Sequence, residues 1–309
     1  MGSKTVKPQT AIPKTSKLKK RLAAIGAIVS AAVAAAVAAP STSDTAQQTA
    51  SQSQQPLTAV YIDVGQGDSE FIRLPNGDTI LIDAGEPEEA DNVIAVLKQY
   101  NVTALDYVIA THPHEDHIGG MAEVLNTYPV ENLYMPNATQ NTAVYKNLIS
   151  AAQAQNLKVQ YVTGGMELFN DGNLTAEYVA PNAEKYSDLN NYSAVLRIAY
   201  GTTSFLFTGD AEKLSEEEIL SKGFNIQATV LKVGHHGSDS SSCADFLNAV
   251  NPTYAVISCG LNNKYGHPSP STISALQARN IQIFRTDLQG TITAVSDGST
   301  VTVTAAGKD

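Results

Sequence analysis

One short segment rich in potential metal ligands constrains this chain more than any other feature. It reads Thr111-His112-Pro113-His114-Glu115-Asp116-His117-Ile118-Gly119-Gly120 and follows the apolar run Tyr107-Val108-Ile109-Ala110, which is typical of a buried strand. Residues two apart on an extended segment point to the same side, so His112 and His114 should face one space. Asp116 and His117 follow after a turn and can face it too. Because imidazole and carboxylate together suit zinc, manganese or iron, the segment predicts a metal site.

The beginning of the chain has a different composition from the rest. Residues 1–21 hold seven of the twenty basic residues and no acid, and residues 22–39 are uncharged and rich in alanine. This order predicts a secretory signal peptide that is cleaved after Ala39, with an uncleaved membrane anchor as the alternative. Residues 40–56, rich in Ser, Thr, Gln and Ala, are typical of a flexible linker. We therefore expect residues 57–309 to form the folded domain, secreted or held at the extracellular face of the cell membrane.

The folded part is strongly acidic. From Leu57 onward it contains 13 basic and 29 acidic residues, a formal net charge of −16, and no cluster of Lys or Arg follows Arg21. Proteins that grip nucleic acid through phosphate contacts usually carry a basic patch. The composition thus disfavours tight, nonspecific DNA binding. No protein partner is evident, and any membrane contact would run through the N-terminal segment. Cys243 and Cys259 could pair in an oxidising compartment or remain buried thiols.

The order of the predicted elements indicates an α+β fold. Three strands, 57–63, 71–74 and 79–83, follow one another with no helix between them, and a helix is predicted over 87–100. Strands and helices then alternate to the C-terminus. This order favours two mixed sheets packed face to face with helices outside. A six-stranded Rossmann alternation is the alternative, and it fits less well because of the three uninterrupted strands.

Seven motifs in the chain resemble the metallo-β-lactamase-fold hydrolases, in particular the soluble domain of ComEC-type competence proteins. They are Asp63-Val-Gly-Gln-Gly-Asp-Ser69, Leu81-Ile-Asp-Ala-Gly85, Thr111–Gly120, Asn191-Tyr-Ser-Ala-Val-Leu196, Phe207-Thr-Gly-Asp210, Leu231-Lys-Val-Gly-His-His-Gly-Ser238 and Tyr265-Gly-His-Pro268. Their order is the family's, and they cover nearly all of residues 57–290. The resemblance implies the four-layer αβ/βα sandwich of the metallo-β-lactamase fold.

The resemblance also implies two metal sites that share one carboxylate. The first would use His112, His114 and Asp210, and the second Asp116, His117, Asp210 and His236. The alternative ligand to His236 is its neighbour His235. The chain departs from the wider superfamily because Asn191 and Ser193 stand where a further histidine is usual, which leaves the first site short of a ligand. Asp83 is expected to orient a ligand imidazole, and Asp68, Asn191 and Ser193 to support the site from behind.

Two divalent cations, zinc or alternatively manganese, would lower the pKa of a bridging water and clamp the oxygens of an in-line displacement. Asp116 could then accept a proton, and His235 or His267 could protonate the leaving oxygen. The expected function is an exported, metal-dependent phosphodiesterase or nuclease. DNA is the substrate that the competence-protein resemblance suggests. The alternatives are an esterase for a small or wall-linked phosphate ester, such as the phosphorylcholine of teichoic acids, and a non-catalytic surface binding domain.

Overall fold

A computed structural model describes residues 55–308 of the chain. The predicted signal peptide or anchor, and all but the last two residues of the predicted linker, lie outside these described residues. Between residues 55 and 308, no helix is both long and apolar enough to cross a membrane.

Fifteen strands in the described residues form two sheets. The first sheet has the strand order β15-β14-β1-β2-β3-β4-β5-β6, and the second has the order β13-β12-β11-β10-β9-β8-β7. The strands of the first sheet are β1 Leu57–Tyr61, β2 Glu70–Arg73, β3 Thr79–Ile82, β4 Leu105–Ile109, β5 Val130–Met135, β6 Val159–Tyr161, β14 Ile292–Ser296 and β15 Val301–Ala305. Those of the second are β7 Glu167–Asn170, β8 Leu174–Tyr178, β9 Leu196–Tyr200, β10 Thr203–Phe207, β11 Val230–Lys232, β12 Tyr254–Ile257 and β13 Gln282–Arg285.

Each sheet combines an antiparallel half with a parallel half. Strands β14, β1, β2 and β3 pair antiparallel, whereas β3, β4, β5 and β6 run parallel. In the second sheet β7 to β10 pair antiparallel, and β10 to β13 run parallel. Parallel strands need crossover connections, which the helices supply. The helices are α1 Ala90–Gln99, α2 Glu115–Ile118, α3 Met121–Thr127, α4 Ala143–Ala154, α5 Lys213–Lys222, α6 Ala244–Val250, α7 Pro270–Gln277 and α8 Thr286–Gln289.

Alternating side chains along the central strands build three apolar layers. Leu57, Ala59 and Tyr61 of β1 pack between the two sheets, whereas Val60 faces the layer that contains α1, α3 and α4. On the other side, Leu206 of β10 packs in a third layer with residues of α5, α6 and α7. Because successive strand residues point to opposite faces, each sheet has one apolar face toward its partner and one toward helices. The predicted four-layer αβ/βα sandwich is confirmed.

The sequence predicted most elements but missed part of the second sheet. No strand was predicted at β7, where Glu167–Asn170 pairs with β8 across a register shift. Its side chains are only partly buried or exposed, so no clean alternation marked the strand. The helix predicted over 87–100 begins with a 3-10 turn, Pro87–Glu89, and continues as α1. Cys243 and Cys259 are both free thiols, so the pairing left open by the sequence does not form.

Candidate metal centre

The carboxyl ends of three strands bring the candidate ligands together. β4 runs into the segment with His112 and His114, β10 into that with Asp210, and β11 into that with His235 and His236. β4 belongs to the first sheet and the other two to the second. A hydrogen bond of 2.9 Å from the Ala194 amide to the Thr111 carbonyl joins the loops of the two sheets. The site therefore lies where the parallel halves of both sheets end.

The first predicted ligand group is assembled around a buried histidine. His112 places Nε2 2.9 Å from Nδ1 of His114 and 3.7 Å from Oδ2 of Asp210. On its other side, His112 Nδ1 lies 3.1 Å from the Thr111 hydroxyl and 3.4 Å from that of Ser193. The same Ser193 hydroxyl accepts a hydrogen bond from the Asp210 amide at 3.0 Å. Ser193 therefore positions two members of this group at once.

The second predicted group has four members. Asp116, His117, Asp210 and His236 each offer a ligand atom, and these atoms lie within 4.8 Å of one another. His117 Nε2 is 3.2 Å from Asp210 Oδ2, and His236 Nε2 is 3.2 Å from Asp116 Oδ2 and 3.5 Å from Asp210 Oδ1. The two oxygens of Asp210 thus face different partners, one toward His112 and His117 and the other toward His236. That is the placement a carboxylate shared by two cations needs.

Three buried atoms of these groups are suited to binding a cation. Within residues 55–308, His117 Nε2, His236 Nε2 and Asp210 Oδ1 make no hydrogen bond of good geometry, although they lie 3.2–3.5 Å from one another or from neighbouring carboxylate oxygens and converge on one space. A buried polar atom left unpaired costs roughly 1–3 kcal/mol, so such atoms call for a partner. Nitrogen and oxygen donors at this spacing match the ligand preferences of zinc and manganese. The residues present therefore fit divalent cations.

The ligand imidazole of His117 is held from behind by a carboxylate. Asp83 Oδ2 lies 2.7 Å from His117 Nδ1, and Asp83 also accepts hydrogen bonds from the amide of Thr111 at 2.8 Å and from its hydroxyl at 2.5 Å. With Nδ1 engaged by a carboxylate, Nε2 is the nitrogen left to face a cation. This arrangement agrees with the role expected for Asp83.

Asp68 lies beside the other ligand histidine, and its second partner, Lys232, was not predicted from the sequence. Its Oδ1 lies 3.2 Å from His236 Nδ1, and its Oδ2 accepts a hydrogen bond of 2.7 Å from Nζ of Lys232. Lys232 is fully buried at the end of β11 and also donates to the Val233 carbonyl. One signal was available in the sequence: Lys232 interrupts the apolar run Val230-Leu231-Lys232-Val233, and a charge inside a buried strand needs a buried partner.

The adjacent histidines after β11 lie on a tight turn. His235 and His236 both have left-handed backbone angles, with φ of 47° and 55°. Such angles are uncommon for residues other than glycine, although histidine is enriched among the exceptions, and they concentrate at functional sites. The turn directs His236 into the second ligand group, whereas His235 Nε2 lies 3.8 Å from Asp210 Oδ2 and is partly exposed. The geometry favours His236 over His235 as a ligand.

Burial and neighbouring charges act against each other at the two central imidazoles. Burial alone would lower the pKa of His117, but the carboxylates of Asp210, Asp116 and Asp83 outweigh it and raise that pKa well above its ordinary value. For His236, burial likewise opposes Asp210 and Asp68, and the net effect again raises the pKa. Burial would raise the pKa of Asp210, but both histidines hold it well below its usual range. The centre thus attracts positive charge, which protons or metal ions can supply.

A cavity of about 280 Å³ opens onto the ligand groups. Its lining includes His235 and His267, the two predicted proton donors, together with Asp116. It also includes Gln66, Asn190 and Tyr265, which the sequence analysis did not single out. Asn191 does not line it; its side chain joins Glu212 at 3.2 Å and the Ser215 amide at 3.2 Å. Asn191 is therefore farther from the centre than expected, linked to it through Glu212, whose Oε1 is 3.4 Å from His235 Nδ1.

Sequence comparison places this chain beside a known family. A profile described as "Metallo-beta-lactamase superfamily" matches residues 62–261. The chain is 34% identical over 248 residues to "ComE operon protein 3" of Bacillus subtilis, which covers 75% of this chain and 32% of that protein. It is 32% identical over 232 residues to "Competence protein ComA" of Neisseria gonorrhoeae, covering 74% of this chain and 31% of that protein. The chain thus spans about a third of the length of these relatives.

Comparison with solved structures agrees on the fold. CmlA of Streptomyces venezuelae, described as a diiron beta-hydroxylase, superimposes with a TM-score of 0.53 at 17% sequence identity. The match covers 78% of this chain and 54% of that one. At this identity the similarity speaks for a shared architecture alone.

The charge state of the imidazoles predicts proton release on metal binding. Because the pKa values of His117 and His236 are raised, both hold protons near neutral pH in the metal-free chain. Metal binding needs the neutral imidazoles, whereas Asp210, with its lowered pKa, is already ionised. We expect calorimetry in buffers of different ionisation enthalpy to show up to two protons released at this group, and affinity to rise from about pH 6 to pH 8. Affinity that is independent of pH would contradict this charge assignment.

The buried pair of Lys232 and Asp68 predicts a second, non-additive result. Lys232→Met leaves a buried carboxylate without its cation and should lower the free energy of unfolding by about 3–5 kcal/mol. The double variant Lys232→Met/Asp68→Asn removes both charges and should recover part of that loss. Urea unfolding of the metal-free proteins measures both. A double variant no more stable than Lys232→Met would show that the ion pair is not what the single substitution breaks.

Proposed function

The chain belongs to the metallo-beta-lactamase superfamily, and on that premise we propose that it is an exported, metal-dependent phosphodiesterase. The observation that carries the proposal is the group of Asp116, His117, Asp210 and His236, whose ligand atoms lie within 4.8 Å of one another beside an open cavity. The predicted N-terminal signal peptide or anchor is the basis for export. The ligand group and the predicted N-terminal segment together support a hydrolytic centre at the cell envelope or outside it.

Two divalent cations would be held by the two groups that share Asp210. His112, His114 and Asp210 would hold one, and Asp116, His117, Asp210 and His236 the other, with zinc preferred and manganese the alternative. Bound there, the cations would supply Lewis acidity for activating water and for stabilising negative charge on phosphoryl oxygens. The first group has one ligand fewer, which favours weaker occupancy at that position.

The protein's own groups have distinct tasks in proton transfer. Asp116 is partly exposed to the cavity and is kept ionised because the nearby His117 and His236 outweigh burial and lower its pKa, so it can accept a proton. His235 lies in the cavity with Ser240 Oγ 3.0 Å and Glu212 Oε1 3.4 Å from its Nδ1, contacts that orient the ring so that Nε2 is 3.8 Å from Asp210 Oδ2. His235 is therefore the group we favour for protonating the leaving oxygen. His267 lines the same cavity, and its buried Nδ1 makes no hydrogen bond within residues 55–308, so it is the group we favour for contacting a phosphate oxygen.

A nucleic-acid phosphodiester is the substrate class we favour. The name of one relative, "Competence protein ComA", refers to competence, and another, 29% identical over 235 residues, is "Recombination protein 2" of Haemophilus influenzae. These names agree with DNA as the substrate that the sequence motifs suggest. The net charge of −16 from residue 57 onward would require the cations at the centre, rather than a basic surface, to attract the phosphate.

The same acidity favours a second candidate. An esterase for a small or wall-linked phosphate ester needs no basic track for a long polyanion, and the cavity of about 280 Å³ suits one small phosphate group. A phosphorylcholine ester is an example of such a substrate. A binding domain without catalysis is the third candidate, and the four-residue group of Asp116, His117, Asp210 and His236 argues against it.

Metal content and substrate range separate these candidates. We expect about two metal ions per chain, with hydrolysis of bis-p-nitrophenyl phosphate and of linear DNA when zinc or manganese is supplied. Hydrolysis of the small diester without DNA cleavage would favour the esterase. A purified full chain that neither retains metal nor hydrolyses either substrate would favour the non-catalytic binding domain.

Substitution of the ligands tests the centre itself. His114→Ala and Asp210→Asn should each reduce kcat for bis-p-nitrophenyl phosphate by at least ~10²-fold, because loss of a ligand exceeds the effect of losing a supporting residue. Circular dichroism should show that the fold is retained. Asp91→Asn, the same chemical change at an exposed position of α1, serves as the matched control and should keep full activity. Unchanged turnover in both ligand variants would overturn the two-metal proposal.

A further inference from the structure

The loop between β12 and α7 places an exposed aromatic ring at the cavity. Five large hydrophobic side chains are exposed in residues 55–308, and Tyr265 is the one of them that lines the cavity, with 57% of its surface accessible. Its ring stacks on that of His267, with centroids 5.7 Å apart and planes inclined by 22°. His267 in turn lies 6.3 Å from His236 at an angle of 27°. A row of nearly parallel rings therefore leads from the rim to a predicted metal ligand.

The loop that carries Tyr265 is held by one side chain. Asn263 Oδ1 accepts hydrogen bonds from the Tyr265 amide at 3.1 Å and the His267 amide at 3.0 Å. Its Nδ2 donates to the carbonyls of Gly260 at 2.9 Å and His267 at 2.5 Å. The Gly260 amide donates to Gln66 Oε1, also on the cavity wall, at 3.1 Å. Because these bonds fix the backbone on both sides of Tyr265, the point from which its ring extends is set before any ligand arrives.

The charges around the ring decide what can bind to it. Lys264, the sole Lys or Arg between residues 258 and 270, places Nζ 5.0 Å from the Tyr265 ring centroid. Acids lie nearby: Glu115 lines the cavity, and the pKa of Glu86 is raised by partial burial and by Asp116, Glu88 and Glu115, which together outweigh the lowering effect of Lys264. An acidic rim repels additional phosphates but does not repel an uncharged planar ring. Stacking on an aromatic ring is a contact that any nucleobase can make, because every base has a π-face.

We propose that Tyr265 forms a stacking subsite for a nucleobase whose phosphate lies at the Asp116, His117, Asp210 and His236 group. The proposal rests on the phosphodiesterase function and narrows its substrate to nucleotides. The ring supplies affinity that the acidic surface cannot supply through phosphate contacts. Lys264, whose side chain is exposed, can move off the ring as the base takes its place.

Two ligands that differ by the base alone test the subsite. Thymidine 5′-monophosphate and 2-deoxyribose 5-phosphate are titrated into the zinc-loaded full chain by calorimetry. We expect the nucleotide to bind about tenfold more tightly, within the roughly 5- to 150-fold range that stacking of one base supplies. Tyr265→Ala should remove that difference by weakening the nucleotide alone, and Tyr265→Phe, which keeps the ring, should preserve it. Tyr161→Ala removes an equally exposed tyrosine, 56% accessible on β6, and should change nothing.

Three outcomes would overturn the subsite: equal affinity of the unmodified chain for both ligands, no measurable binding of either, or equal weakening of both in Tyr265→Ala. The last would mean that the tyrosine only maintains the shape of the cavity. Failure of the proposed function is detected separately, as absence of bis-p-nitrophenyl phosphate hydrolysis by the unmodified zinc-loaded chain. A chain that binds the nucleotide more tightly but hydrolyses nothing would support the stacking subsite and contradict the phosphodiesterase function.

Discussion

Three buried carboxylates impose the strictest demand on this structure. Asp68, Asp83 and Asp210 are each at most 2% accessible, and an ionised carboxylate in such surroundings is costly unless a positive group compensates it. The protein compensates two of them itself, with Lys232 at 2.7 Å from Asp68 and His117 at 2.7 Å from Asp83. Within residues 55–308, Asp210 forms no ion pair with a lysine or arginine; its close partners are histidines. The compensating charge for Asp210 must therefore come from the histidines when protonated or from cations when they are bound.

These charge pairings argue against a further metal site at a third group of potential ligands. Asp68, Asp83 and His117 also offer three ligand atoms close together. Both carboxylates already have partners within the protein. Lys232 Nζ donates a hydrogen bond to Asp68, and His117 Nδ1 lies 2.7 Å from Asp83 Oδ2. The lysine stands where a cation would otherwise be required. The ring of His117 consequently has a supporting side, toward the interior, and a ligand side, toward Asp210 and Asp116.

The sequence was sufficient for the fold and for the residues that gather at the centre, because both depend on local patterns. Strand alternation and the seven motifs predicted the sandwich, and the resemblance to the metallo-β-lactamase superfamily and its competence proteins is confirmed. The strand ends then place all six histidines of the chain in one region. The metal-ligand roles themselves stay predictions. The sequence did not predict contacts between residues far apart in the chain, such as the pairing of Lys232 with Asp68, which are 164 residues apart. The left-handed turn at His235 and His236 opposes local preference, and only the tertiary structure holds it.

An acidic chain can bind an anionic substrate because repulsion between charges weakens with distance in salt solution. Interactions between exposed charges fade beyond about 8–10 Å at physiological salt, so the net charge of the whole domain matters less than the charges within that reach of the phosphate. Near the centre, cations bound at Asp210 would reverse the local sign, whereas the rim with Glu86 and Glu115 would stay negative. A long polyanion would meet that rim along its length, but a single phosphate with a neutral base would meet only the centre and the Tyr265 ring. Recognition by stacking, rather than by a basic groove, is thus the solution that this distribution of charge permits.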